Sequence, residues 1–357
     1  MEKLDIVSIN FTASCNLQCP HCGRSEFKPK NELSASDFYP ILNELSRMKV
    51  SQLNLTGGEV FLRPDFMLFF EKAAENFNFI SIETNGTLLT DDILSRLSLY
   101  KDKIRVSVSV DGAIAEAHER IRGTGSYQMT MQGLNLLKKF SIPTRVITVL
   151  NKWNIDQIPQ MVKEFVNDMG FSFRLIPHIM EYGRGVYGCN SLGASYSEII
   201  QLLEDFYYPF LAESKDSLSS VELNPALVPI DTIQHHVCPW GKSMLGINAQ
   251  GDVGLCHVSL HDKNFVFGNI ATNTIENIWN NSKTLRSFRQ FSLDSLKGVC
   301  GNCLAKEVCR GGCRLHAFAK YGDIYAPDPQ CQIVYNMGAF PDYALENEDQ
   351  NCRYGGE

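Results

Sequence analysis

The sequence predicts an α/β protein: a parallel sheet of six strand–helix units curled into an open, partial barrel, followed by a cysteine-rich metal-binding segment. Two observations carry this. Short apolar runs open at about residues 4, 52, 79, 104, 144 and 171, and each is followed by a helix-length segment. Of twelve cysteines, three fall in an N-terminal triplet, Cys189 stands alone, and eight lie from Cys238 onward.

The elements follow in order. Residues 4–10 read as a buried first strand, with the triplet Cys15, Cys19 and Cys22 in the loop at its C-terminal end, where (β/α) barrels keep their active sites. Residues 36–47 fit a helix, with Ser34 or Ser36 as N-cap. A short strand at 52–55 runs into Thr56-Gly57-Gly58-Glu59, where paired glycines let backbone approach a ligand and the Glu59 carboxylate can accept from an ammonium group. Residues 64–76 form the second helix, 79–83 the third strand ending in Thr84-Asn85-Gly86, and 91–98 the third helix. The fourth strand, 104–110, ends in Ser109-Val110-Asp111-Gly112, and Arg120 and Arg122 follow in a loop. A helix at 128–140, a strand at 144–150, a helix at 155–168 and a strand at 171–176 complete six units. Asn85 and Thr148 stand at or near strand ends and can line the cavity. Residues 195–211 are helical, with apolar side chains at i, i+3, i+4 spacing. Residues 244–248 and 253–256 read as a hairpin around Gln250-Gly251-Asp252.

Composition sets the outer limits. The chain has 357 residues, 44% of them hydrophobic and 20% charged, enough for a large core and roughly two domains. A net charge of −7 argues against a nucleic-acid binder, which needs a basic face. No apolar run reaches the length of a membrane span and no signal peptide opens the chain, so the expected location is cytoplasmic. There, cysteines are metal or redox ligands rather than disulfides.

Three clustered thiolates without a fourth would leave one iron of a four-iron cluster open. The spacing C-x3-C-x2-C resembles that of the radical S-adenosylmethionine enzymes. In that family the open iron is chelated by the amino and carboxylate groups of S-adenosylmethionine, and one electron releases a 5′-deoxyadenosyl radical. The resemblance implies that Gly57-Gly58-Glu59 holds the methionyl amine. It implies that Ser109, with Arg122 or Arg120, touches the cofactor's carboxylate or ribose. His21 would stack on the adenine, Asn85 would line the cofactor cavity, and Arg184 would lie near the adenosine.

Cys238, Gly251, Cys256, Cys300, Cys303, Cys309, Cys313 and Cys331, with Gly311-Gly312-Cys313-Arg314, resemble the SPASM domain of radical enzymes that mature peptides and proteins. Taken alone, these cysteines also fit two zinc sites. The resemblance implies two auxiliary [4Fe-4S] clusters: an outer one on Cys300, Cys303, Cys309 and Cys331, and an inner one on Cys238, Cys256 and Cys313. Cys352, Cys189, His235 or His236 could complete the inner set, or an iron could stay open. The expected division is a partial (β/α)6 TIM-like barrel over 1–215, a connector over 216–237, a SPASM domain over 238–340 and a tail over 341–357.

The function so implied is hydrogen-atom abstraction from a ribosomally made peptide, leaving a crosslink or an oxidised side chain. An external reductant, flavodoxin or ferredoxin, would supply the electron. Because the first strand opens at about Leu4, the expectation is a separate peptide-recognition protein or unaided binding. Similar twin-cluster enzymes act on haem precursors and on sulfatases, which gives the alternative: a tetrapyrrole or a sulfatase-type protein as substrate. A non-catalytic iron–sulfur electron carrier would explain the cysteines but gives Gly57-Gly58-Glu59 and Ser109 no role.

Overall fold

The computed structural model describes residues 2–23, 31–213, 221–223 and 238–346. Its spine is one ten-stranded sheet. The parallel strands are β1 (Ile6–Thr12), β2 (Gln52–Gly57), β3 (Phe79–Thr84), β4 (Ile104–Ser109), β5 (Thr144–Val149), β6 (Ser172–Ile176) and β7 (Val221–Leu223), paired in sequence order. Beyond β1 the sheet continues into the cysteine-rich half. There β8 (Met244–Ile247) pairs parallel with β1, and β9 (Asp252–Gly254) and β10 (Val266–Asn269) follow antiparallel.

Alternation gives the sheet two unlike faces. Val7, Ile9, Leu53, Leu55, Val106 and Val108 are fully buried on the outer face, under the helices. The inner face is polar, and Ser8, Asn54 and Ser81 lie side by side in register across three strands. The helix α1 (Ala35–Arg47) shows how the outer layer is specified. Ser34 and Asp37 form a capping box at its start, and Phe38, Ile41, Leu42 and Leu45 recur on one buried stripe. Phe38 meets Phe11 of β1 at 5.6 Å, and Phe11 stacks at 4.5 Å on Phe69 of α2 (Phe66–Ala74). The Arg63 guanidinium covers Phe11 at 4.1 Å and donates to the carbonyls of Phe11 and Leu33.

The sheet is not the only tie between the two halves. The helix Ile275–Asn281 docks on α1, where Glu44 accepts from the Glu276 amide at 2.9 Å. The Trp279 indole donates to the Glu2 carbonyl at 3.0 Å.

Helices α3 (Asp91–Ser98), α5 (Ser126–Lys139) and α6 (Ile158–Val162, continued by a wider turn over Lys163–Asp168) stand where the sequence places helices. Among the described residues of the barrel half, two helices were not expected. Arg120 and Arg122 lie on α4 (Ala115–Arg122) rather than in a loop, because so charged a segment shows little apolar periodicity. Gly183-Arg184-Gly185 leads into α7 (Gly185–Leu192), where Gly185 and Gly188 lower the local helix propensity. The strand β7 lies in the stretch expected to be connector.

Phe38→Ala should cost about 3–5 kcal/mol of stability, as for other large buried aromatic truncations. Denaturant unfolding of the folded chain measures it; a loss below about 1 kcal/mol would show that the aromatic cluster does not anchor β1.

Candidate functional site

The cysteine loop sits at the C-terminal end of β1 and is clamped from three sides. From β2, the Gly58 amide donates to Thr12 O and the Glu59 amide to Ser14 O, both at 2.7 Å. A Cβ on Gly58 would lie 1.9 Å from the Ser14 oxygen, so only glycine fits. From β3, the Asn85 side chain donates to Asn16 Oδ1 at 2.8 Å, inside the loop, and accepts from Thr87. From α7, the amides of Arg184 and Gly185 donate to the Cys22 carbonyl, and a Cβ on Gly188 would come within 2.8 Å of Pro20 O. Glu32 closes the base, accepting from Thr12 Oγ1 at 3.0 Å and from the Ala13 amide. Cys19 is buried, and Cys15 and Cys22 are half-buried.

Glu59 is completely buried beside this loop. Its Oε1 accepts from Thr84 Oγ1 at 2.8 Å and from the Phe61 amide, and its Oε2 accepts from the Asn85 amide at 2.8 Å. These bonds use three of roughly four acceptor positions on a carboxylate. Burial raises its pKa against the pull of those donors. Asn85 is thus engaged with the loop and with Thr87. Ser109, the last residue of β4, keeps a half-buried hydroxyl with no protein partner among the described residues.

Arg122 and Arg120 part company here. Arg120 lies on the surface, paired with Glu116 at 2.6 Å and 5.7 Å from the centre of the Trp153 ring. Arg122 turns inward and donates from Nε to Asp111 Oδ2 at 2.7 Å, within a pair that is almost wholly buried. Asp111 Oδ1 accepts from the Val149 amide, and His21 Nε2 lies 3.5 Å from Asp111 Oδ2. Burial pushes the Asp111 carboxyl up, but the Arg122 charge, helped by the Val149 amide, outweighs it and holds it below the ordinary range. His21 is driven down to about 4 by burial and is neutral. Burial lifts the Cys19 thiol to about 11, opposed by the nearby Arg122 charge. Sequence reasoning missed Asp111 as a site residue. The available signal was an acid two residues past Ser109, at the strand end facing the cysteine loop.

The C-terminal cysteines fall into two neighbourhoods. Burial, with Cys238 and Cys256 close by, lifts Cys313 to about 12. Cys331 is raised by burial and by Asp328, Cys300, Cys309 and Cys303. Asp328 sits in the second group: its amide donates to Cys300 Sγ at 3.3 Å, and a Cβ on Gly312 would meet its carboxylate at 2.4 Å. Arg314 donates from Nη1 to two carbonyls, while its Nε and Nη2 and both side-chain polar atoms of Gln330 are buried without a partner among the described residues. Cys189 lies on α7, its thiol 3.4 Å from the Val186 carbonyl. His235, His236 and Cys352 lie outside the described residues, as do most of the 216–237 connector and the 341–357 tail.

Eleven thiols are free of disulfides among the described residues. Several of these thiols are buried and neutral, and unsatisfied donors lie beside the outer group, a donor chemistry that suits metal–sulfur ligation; among the described residues no three such side chains stand at metal-binding geometry.

Fold and thiols together define a class: a partial parallel barrel that delivers cysteine ligands at its mouth and carries a second cysteine system on the same sheet. The radical SAM superfamily profile matches residues 9–165. A profile for an iron–sulfur cluster-binding domain, SPASM, matches residues 238–304. The chain is 30% identical to mycofactocin maturase MftC of Mycobacterium tuberculosis, over 90% of this chain and 81% of that one. It is 29% identical to the AdoMet-dependent heme synthase of Methanosarcina barkeri, over 93% and 97%. PqqA peptide cyclase of Granulibacter bethesdensis is 25% identical over 90% and 85%. Among solved structures, Streptococcus suis SuiB bound to precursor peptide SuiA superposes with a TM-score of 0.73 at 17% identity, over 92% and 76%. AdoMet-bound anSMEcpe superposes with a TM-score of 0.71 at 18% identity, over 96% of each chain. The chain belongs to the radical SAM superfamily, and it is an enzyme of the SPASM-bearing kind. Its cofactors are [4Fe-4S] clusters and S-adenosylmethionine. Among the described residues no helix is long and apolar enough to cross a membrane.

Gly58→Ala should push the Ser14 carbonyl away and unseat the cysteine loop. Iron analysis after anaerobic reconstitution should then fall by roughly a third, with the auxiliary clusters retained. Full iron content would show that the loop docks without this contact. Asp111→Asn removes the charge that balances buried Arg122, and should cost about 3–5 kcal/mol in unfolding experiments.

Proposed function

We propose that this enzyme modifies a ribosomally made peptide by radical chemistry. The observation that carries the reading is the clamped Cys15–Cys22 loop with Glu59 and the Arg122–Asp111 pair beside it, on the same sheet as the second cysteine system. Similarity to peptide maturases over nine-tenths of the chain supports the choice of substrate.

Cys15, Cys19 and Cys22 hold the catalytic cluster. When bound there, it supplies the electron that cleaves S-adenosylmethionine and generates a hydrogen-abstracting radical. The remaining acceptor position on Glu59 takes the cofactor's ammonium. Ser109 donates to its carboxylate or ribose, and Arg122, held rigid by Asp111, lends positive charge to the same region. His21, neutral, would contact the adenine, with Arg184 near the adenosine. Asn85 positions the loop through Asn16. Cys300, Cys303, Cys309 and Cys331 hold the outer auxiliary cluster, and Cys238, Cys256 and Cys313 the inner one. Flavodoxin or ferredoxin is the electron donor, the peptide binds unaided or through a separate recognition protein, and the enzyme works in the cytoplasm. The Methanosarcina relative supports a second reading, a tetrapyrrole substrate.

Anaerobically reconstituted protein should hold about twelve iron atoms. Changing Cys15, Cys19 and Cys22 together to Ala should remove roughly a third of them and abolish 5′-deoxyadenosine formation. Zinc in place of iron would sink the reading. Product from a haem precursor, with none from any peptide encoded beside the gene, would replace it with the tetrapyrrole reading.

A further inference from the structure

The inner face of the sheet changes character from one side to the other. Near β1 it carries Ser8, Asn10 and Asn54, and Asn10 donates to the His257 carbonyl, next to Cys256. Toward β7 it carries charges. Arg105 of β4 lies opposite Ser81, Arg145 of β5 opposite Ser107 and Ser172, and Arg174 of β6 opposite Glu222 of β7. Paired residues of neighbouring strands share a face, so all of these line the lumen, where small closed barrels pack branched apolar side chains.

Among the described residues the charges do not balance: Arg105, Arg145 and Arg174 face the carboxylates of Glu83 and Glu222, and Arg174 also lies near the Cys238 thiol. Glu222 pairs with Arg145 and reaches Arg174 at 4.0 Å. Arg145 is 7% exposed, yet its Nε, like that of Arg105, is buried with no partner among the described residues. Burial lowers both guanidinium groups, and Glu222 does not offset it; Arg145 falls to about 10, with neighbouring cations adding to the fall. Buried guanidinium groups that repel one another and keep free donors are an incomplete ion-pair set, and a further carboxylate completes it in the geometry arginine favours.

We propose that the β4–β7 floor of the lumen, through Arg105, Arg145 and Arg174, binds a carboxylate of the substrate. This rests on the peptide reading above and deepens it. The carboxylate is either the peptide's C-terminus or an acidic side chain. Arg105 stands four residues before Ser109, a rise of about 13 Å along the strand. A carboxylate held at the floor therefore places the reacting carbon about four residues from it, at the strand ends where the cysteine loop lies.

The test uses the full chain with its clusters, immobilised without oxygen, and mixed-sequence decapeptides lacking Asp and Glu. One pool ends in free carboxylates, a second is amidated, and a third is amidated but carries one Glu. The free-acid pool, the Glu pool or both should be retained about tenfold over the amidated pool, and which one is retained identifies the source of the carboxylate. Arg105→Gln with Arg174→Gln should erase the preference, and the corresponding Lys pair should keep most of it. Iron content and circular dichroism report folding. If the Gln pair does not fold, Arg174→Gln alone, at a half-exposed position, should still reduce the preference severalfold. Equal retention of all three pools overturns the carboxylate site while leaving the peptide reading intact. Retention of none overturns both. A preference unchanged in the folded Gln variant assigns it to another site and overturns this one.

Discussion

Two backbone hydrogen bonds, from Gly58 to Thr12 and from Glu59 to Ser14, hold the cysteine loop on the end of β2, and the contact is so close that Gly58 has no room for a side chain. Much else follows from it. Drawing the two backbones together buries Glu59, and a buried carboxylate must be given donors. Thr84 and Asn85 at the end of β3 supply them. Once Asn85 is fixed, its side chain reaches Asn16 and sets the first turn of the loop. One steric constraint thereby aligns three strand ends and the thiols between them.

The thiols carry a second constraint. Burial raises Cys19, Cys300, Cys309 and Cys313 to between about 11 and about 12, so without metal these groups are neutral and hold their protons. Metal binding must expel those protons, which ties cluster assembly to folding and to pH. The same metal–sulfur groups would meet the unsatisfied donors of Arg314 and Gln330, whose burial is otherwise unfavourable by about 1–3 kcal/mol per group. The SPASM region also has an apolar core of its own, built on Trp240, Leu255, Phe265, Phe288, Phe291 and Leu315, and its thiols are set beside that core.

The sheet joins these parts. Its outer face is ordinary apolar packing against helices, and its inner face runs unbroken from the His257 carbonyl beside Cys256 to Arg145 and Glu222. Because β8 pairs directly with β1, the second cysteine system is a lateral extension of the barrel and not a tethered module. A substrate in the lumen would meet a redox-active side and a cationic side across one surface.

The sequence by itself determined the strand–helix alternation, the placement of Cys15, Cys19 and Cys22 after β1, and that of Gly58 and Glu59 after β2. Each of these is written in local spacing: period-two strands, capped amphipathic helices, and ligands a few residues apart. Tertiary structure decided what depends on residues far apart in the chain. It separated Arg122 from Arg120, two neighbours on one helix, because only the Arg122 side of α4 faces Asp111. It turned Asn85 from a cavity residue into a brace for Asn16, and two glycines of α7 into the contact that lets that helix lie on Pro20 and His21. It gathered Arg105, Arg145 and Arg174, which stand roughly 30 to 40 residues apart in sequence, onto adjacent parallel strands, at spacings a crossover connection imposes and no local pattern records.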